Sequence, residues 1–510
     1  MEMNYAKTVE KWGTLEVAVK GPKEGNPFCD QWIKGTFECK NEKKTVDGFY
    51  DGDGVYKVRF MPSFVDTYTF KIESSFQTES AEEVSGSFEA VAPSADNHGP
   101  VRVAGTYYLA YEDGKPYHCL GTTCYVWNLQ NEKLQEQTLK TLEENAFNKI
   151  RFCIFPKHYD YNLHEPITYP YEGTPCDTSE LNENNFAEYN GCAPGNDWDF
   201  TRFNPAHFQH IEECIKKLMA LGIQADLIVM HPYDRWGFSM MKAEDDDRYW
   251  KYVLARFSAY RNVWWSLANE YDLMHEKTLA DWERYAAIIC EKDPYHHLRS
   301  IHNCKAYYDY NLPWVTHCSI QRTETYRSSE LVNEWREKYH KPVVLDEICY
   351  EGNIQFGWGN ISGEEMTRRF WEAFCRGGYP GHGETYLSPD RILWWSHGGV
   401  LHGTSPERIK FLAKIMEETP GLGVEPMPCK WDEVACRAAG FPARKDYFIY
   451  YYTFMRPSFR DFYFDDTTEY QVEIIDTWEM PITDGGIHKG QFRVQLPGKE
   501  YIAVRIKAVK

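Results

Sequence analysis

The 510-residue chain has no run approaching the ~18 apolar residues of a membrane-spanning helix, so none is expected. It has no Cys-x-x-Cys pair, and its fifteen cysteines are scattered from Cys29 to Cys436. Paired-cysteine zinc sites and thioredoxin-like redox chemistry thereby lose their signature. The phosphate-cradling GxxxxGK[ST] loop and the HExxH zinc helix are also missing. Basic charge is short: 56 Lys and Arg against 76 Asp and Glu leave a net charge of -20. Binding nucleic acid or an anionic membrane surface calls for a basic face, so neither is expected as a partner. The N-terminal MEMNYAKTVEKWG carries charge throughout and lacks the apolar run of a signal peptide. The expectation is a reduced, cytoplasmic protein in which most cysteines are small core residues.

Aromatics are abundant instead, with 17 Trp, 36 Tyr and 28 Phe making 16% of the chain. They supply core volume and also flat stacking platforms. The length allows about three domains, and the hydropathy pattern divides accordingly. Residues 1–95 alternate apolar and polar positions in segments such as TLEVAVKGP, VYKVRFMP and TYTFKIES, broken by DGDG at 51–54, which predicts a β-sandwich. Residues 422–510 return to alternation in DYFIYYYTF, EYQVEIIDTW and EYIAVRIKAV, predicting a second, smaller sandwich. Between them, over 96–421, short apolar runs alternate with helical periodicity. The candidate strands are HCLGTTCYVW, FNKIRFCIF, IQADLIVMH, VWWSLANE, HLRSIHN, HCSIQRT, PVVLDEI and RILWWSH. Eight such units predict an α/β fold, a (β/α)8 TIM barrel flanked by N-terminal and C-terminal β-sandwich domains. An insertion over residues 157–199 follows the second strand, on the face where barrel enzymes place their active sites.

Two glutamates end predicted strands four and seven: Glu270 in VWWSLANEYD, preceded by Asn269, and Glu347 in KPVVLDEICYEG. They would face each other across the barrel mouth. Glycosidic cleavage needs such a pair, one carboxylic acid to protonate the leaving oxygen and one carboxylate to stabilise or attack the anomeric carbon. Singly, either could instead be a helix N-terminal residue or a surface ion-pair partner.

Asn-Glu ending strand four and Glu ending strand seven resemble the large clan of retaining (β/α)8 glycoside hydrolases. ADLIVMHPYDRWGF, RFSAYRNVWWSLANEYD and ILWWSHGG more specifically resemble the apiosidase-like glycoside hydrolases, over about 110–400, with flanking β-domains that match in kind. The resemblance implies Glu270 as acid/base, Glu347 as nucleophile and Asn269 as the partner of the sugar 2-hydroxyl. It also makes branched plant-derived glycans a reasonable substrate class, and no cofactor is needed.

Other strand ends supply pocket candidates, each with a scaffold role as the alternative. Trp127 follows the first strand, and Trp394 and Trp395 occupy the eighth, where only one can face the mouth; Trp395 is favoured. His231 and Asp234 end strand three, His302 and Asn303 strand five, and Gln321 strand six. Glu384, in the Gly-rich GYPGHGETY before strand eight, could bind a substrate hydroxyl or brace its loop. A metal-dependent barrel hydrolase using His231, Asp234, His302 and His317 is the competing reading, weakened because GTTCYVWN stands where an HxH pair is expected. A non-catalytic carbohydrate-binding protein is the third. The expected partner is an oligosaccharide, met in a closed, exo-acting pocket; homo-oligomerisation is left open.

Overall fold

The computed structural model describes residues 3–76, 84–429 and 433–509. Its centre is a ring of parallel strands: β1 (Gly121–Thr123), β2 (Lys149–Cys153), β3 (Gln224–Met230), β4 (Val263–Ala268), β5 (Arg299–Ser300), β6 (Cys318–Gln321), β7 (Val343–Glu347) and β8 (Tyr379–His382). They pair in the order β5-β4-β3-β2-β1-β8-β7-β6, and a parallel bridge between His302 and Ser319 joins the two ends. Every residue of QADLIVM in β3 and VWWSLA in β4 is buried, as strands covered by helices outside and packed side chains inside must be. The helices between them are punctuated by their own sequence. Pro205–Ala220 starts at Asn204, whose side chain accepts from the Ala206 N–H, and is followed by Gly222 in the left-handed region. Leu279–Lys292 opens with a reciprocal Thr278–Asp281 capping box.

The eighth strand differs from expectation. It is Tyr379–His382, within GYPGHGETY, whereas Trp394–His397 forms one buried helical turn beyond it. A four-residue apolar run suits a buried turn as well as a strand. The glycine-rich segment is a strand because β7 runs close against it: a Cβ on Gly381 would lie 2.7 Å from the Leu345 carbonyl oxygen.

Two features of the barrel position the site. Along β6 and β7, Ile320 pairs with Leu345 and Gln321 with Glu347, so Asp346 is an extra residue in the ladder. Strict alternation would turn one of two successive acids outward; the bulge lets both face inward. Beneath the mouth lies an ionic floor, where Lys149 donates to Asp226 and Asp346 at 2.7 Å each and Arg151 lies 3.5 Å from Asp226. The opposite end of the barrel is closed by the hairpin Val101–Ala104/Tyr108–Tyr111, whose Val101 and Leu109 pack with Tyr117, Trp264, Val344 and Tyr379.

The flanking domains are β-structures. The N-terminal one faces a four-stranded sheet against a five-stranded sheet, with Phe37 and Phe60 stacked between them at 4.3 Å. It docks on the barrel helices through buried ion pairs. Arg59 donates to both Glu212 oxygens at 2.5 and 2.8 Å, and Arg256 lies 2.7 Å from Asp51. The C-terminal domain is a six-stranded sheet with a two-stranded ribbon. It rests on the helix Gly363–Cys375, where Trp371 meets Tyr451 at 5.8 Å.

Candidate active site

Glu270 follows β4 in the left-handed backbone region (φ 51°), a conformation costing a non-glycine residue about 1–2 kcal/mol. The turn directs its carboxylate into the mouth, where Oε1 accepts from Gln321 Nε2 at 2.8 Å and Oε2 accepts from the Tyr233 hydroxyl. Glu347 ends β7 and accepts, at Oε1, from the Tyr125 hydroxyl. Tyr125 also lies 3.2 Å from Asn269 Oδ1, which Arg151 approaches at 3.3 Å. His302 stands between the two glutamates: its Nδ1 accepts from the Glu270 N–H at 3.4 Å, and its Nε2 is 4.0 Å from Glu347 Oε1. Burial drives this imidazole far toward its neutral form. Nδ1 being the acceptor, the ring proton sits on Nε2, facing Glu347.

Both carboxylates are nearly enclosed, Glu270 at 5% and Glu347 at 7% exposure. Burial first, and then the charge of Glu270, pushes Glu347 up to about 7. The pair therefore retains one proton up to near-neutral pH, a property of the pair and not of one residue. Such a pair can donate a proton and present an anion at once.

Aromatic rings surround it. Trp395 meets Tyr125 and Tyr159 edge-on at 5.9 Å each and Trp358 at 5.2 Å. The insertion after β2 touches the mouth where it begins, the His158 N–H donating to the Tyr233 carbonyl at 2.8 Å, and later forms the ribbon Tyr171–Thr174/Asp197–Phe203. Amid the rings sits Lys157, with Nζ 3.5 Å from the centre of Tyr125, 4.3 Å from Tyr233 and 4.7 Å from Trp395. Tyr125, Tyr233, Arg151 and Lys157 were not among the sequence candidates. Arg151 had a signal, since Lys149 and Arg151 share one face of an apolar strand; the other three lie on loops without periodicity.

Thus Glu270, Glu347, Asn269, His302, Gln321 and Trp395 come together. Other candidates do not. Trp127 is fully buried, packed edge-on against Phe152 at 5.8 Å in the core, and offers no face to a sugar. Trp394 is also core, its indole N–H donating to Thr122 Oγ1 at 2.9 Å. Asp234 is spent on its own loop, accepting from the Trp236 and Ser239 N–H groups at 2.8 and 2.7 Å, and burial raises it to about 6. His231 is buried, 3.3 Å from the Phe155 carbonyl, and burial lowers it to about 3. Asn303 bridges β5 and β6 by bonding both backbone groups of Gln321.

Glu384 follows β8 instead of preceding it and is buried, accepting from the His402 and Gly403 N–H groups at 2.5 and 2.8 Å. It braces the loop that leads into the helix Ser405–Glu417, as does Glu351 through the Thr404 and Ser405 N–H groups. With His382, these are the one group of three or more His, Cys, Asp or Glu among the described residues whose ligand atoms lie within 4.8 Å of one another. The histidines and aspartate of the metal-hydrolase reading do not form such a group; His317 instead lies 3.0 Å from Thr316 Oγ1 and edge-on to Trp264.

A family profile described as "Apiosidase-like, catalytic domain" matches residues 104–419, and two domains of unknown function, DUF5060 and DUF5605, match 8–75 and 431–507. A crystal structure from Bacteroides vulgatus ATCC 8482, described as an inferred glycoside hydrolase, is 38% identical, aligns with 99% of this chain and 100% of that one, and has a TM-score of 0.90. A glycoside hydrolase family 5 structure from the same organism is 16% identical over 81% of this chain and 93% of that one, with a TM-score of 0.60, a likeness of fold alone. No curated protein matches the chain.

Proposed function

This chain belongs to the apiosidase-like glycoside hydrolases, and from that membership we propose a retaining, exo-acting enzyme that trims plant-derived oligosaccharides. The observation that carries the proposal is the buried Glu270–Glu347 pair, close enough for the charge of one to raise the other, enclosed at the C-terminal mouth of the barrel. In the first step Glu347 attacks the anomeric carbon while Glu270 protonates the departing oxygen. In the second, Glu270 deprotonates the water that releases the sugar from Glu347. Tyr125, Arg151 and Lys157 favour the ionised form of Glu347, by hydrogen bond or by charge. Gln321 and Tyr233 hold Glu270 in place. Asn269, fixed between Tyr125 and Arg151, is offered to the sugar 2-hydroxyl.

The near-complete enclosure of both carboxylates supports exo action on a chain end. A cleft of about 870 Å³ lined by Gln130, Tyr161, His164, Glu165 and Arg391 supports the binding of further sugar units; its Tyr161 also packs against the Trp395 cluster. All the cysteines are free thiols, which supports a reducing, cytoplasmic setting.

The test is hydrolysis of aryl pentofuranosides, pentopyranosides and hexopyranosides of both anomers, with Glu347→Gln as the control. The anomer of the first-formed product is then read by NMR. Turnover that survives in the mutant, or a product of inverted configuration, would overturn the assignment.

A further inference from the structure

We infer that Lys157 reads the free hydroxyl groups at the end of the bound sugar ring remote from the scissile bond, which makes neutral, uncapped terminal sugars the substrate class. The inference rests on the glycosidase reading above and deepens it.

Lys157 is 3% exposed, and its ammonium makes no hydrogen bond among the described residues. Tyr125, Tyr233, Trp395 and, at 5.5 Å, Tyr159 ring it. Ring faces attract a cation but satisfy none of its three N–H donors. Donors almost stripped of water and without protein acceptors are costly, so the site awaits oxygen atoms. Two of the caging residues are the tyrosines whose hydroxyls hold Glu347 and Glu270, so ammonium and carboxylates share one chamber.

Charge decides which oxygens. The carboxylate pair carries one negative charge throughout double displacement: shared with one proton between Glu270 and Glu347 before attack, then on Glu270 while Glu347 is esterified to the sugar. Lys157 balances that charge, and the floor of Lys149, Arg151, Asp226 and Asp346 is itself balanced. A uronate would bring an unmatched anion into an enclosed space. The transition state, moreover, is a developing oxocarbenium ion. An ammonium next to the anomeric carbon would oppose it, so its donors belong on the distal hydroxyls. In a longer chain one of those positions carries the next sugar and no longer offers a free hydroxyl. Burial brings the ammonium down to about 8, which keeps it mostly charged at neutral pH.

The test is calorimetric titration of Glu347→Gln, and of Glu347→Gln/Lys157→Met, with methyl pentosides and hexosides, their monodeoxy analogues and methyl hexuronides. Thermal melting confirms folding, and Lys157→Gln replaces the methionine variant if that fails. The neutral parent glycoside should bind about 10- to 100-fold more weakly without the lysine, the range of one hydrogen bond from a charged donor. The analogue lacking the contacted hydroxyl should bind both proteins alike. Tighter binding of the uronides, equal losses across all analogues, undiminished binding by the double mutant, or no binding of any neutral sugar would each overturn the inference. If the neutral sugars bind as expected but wild type hydrolyses no aryl glycoside, Lys157 keeps its role and the glycosidase reading fails.

Discussion

Exchanging Glu347 for glutamine should abolish turnover and yet stabilise the protein, with a pH dependence set by the site itself. Burial and the charge of Glu270 raise this carboxyl from 4.5 to about 7 in the folded chain. Between those values the unfolded state has released its proton while the folded state keeps it, so stability falls as pH rises. Above about 7 both states are ionised, and the folded state bears the full penalty of an anion held in a dry chamber. A rise of that size corresponds to ~3 kcal/mol. Glutamine carries no charge and keeps an oxygen to accept from Tyr125. At pH 8 the variant should therefore be up to ~3 kcal/mol more stable than wild type, roughly 2–6 °C in melting temperature. At pH 4, where Glu347 is mostly protonated in both states, the advantage should all but vanish. Calorimetric melts of both proteins from pH 4 to 9, beside turnover of the active aryl glycoside, give the comparison. A variant less stable than wild type at pH 8, or a difference that does not change with pH, would show that Glu347 is not strained by burial and by Glu270.

Glu270→Gln should lower kcat/KM by about 10²- to 10⁴-fold for glycosides with poor leaving groups and much less for nitrophenyl glycosides, which depart without a proton; a uniform loss would contradict the acid role. Tyr125→Phe removes a donor that favours ionised Glu347, so the pair should hold its last proton longer. The basic limb of the kcat/KM profile, expected near pH 7 in wild type, should move up by about one pH unit with a roughly tenfold loss of rate; a downward move would contradict the hydrogen bond's direction. Arg59→Met strands Glu212 at the buried junction of the N-terminal domain and barrel, leaving it only Arg256. Unfolding in urea should show a loss of about 3–5 kcal/mol, and a loss under 1 kcal/mol would mean the pair is solvated.

The barrel and the two glutamates at its mouth were legible because each depends on a local pattern. A strand buried on both faces is an apolar run, and Glu270 and Glu347 are the polar residues that end two of them. Three things were not local. The bulge that turns both Asp346 and Glu347 inward is a mismatch between two strands, and neither strand's sequence contains it. The eighth strand hid in a segment that reads as a turn, since its glycine answers to the β7 backbone and not to its own neighbours. RILWWSH has the composition of a strand, and its misassignment displaced Glu384 to the wrong side of β8. The cage around Lys157 is the extreme case. Tyr125, Tyr159, Tyr233 and Trp395 come from loops after β1, β2, β3 and β8, so no spacing in the chain encodes their meeting; only closure of the ring brings β8 beside β1. Chemistry that a single strand end can carry was visible before folding. The enclosure of Lys157, which needs four loops to meet, becomes visible only after it.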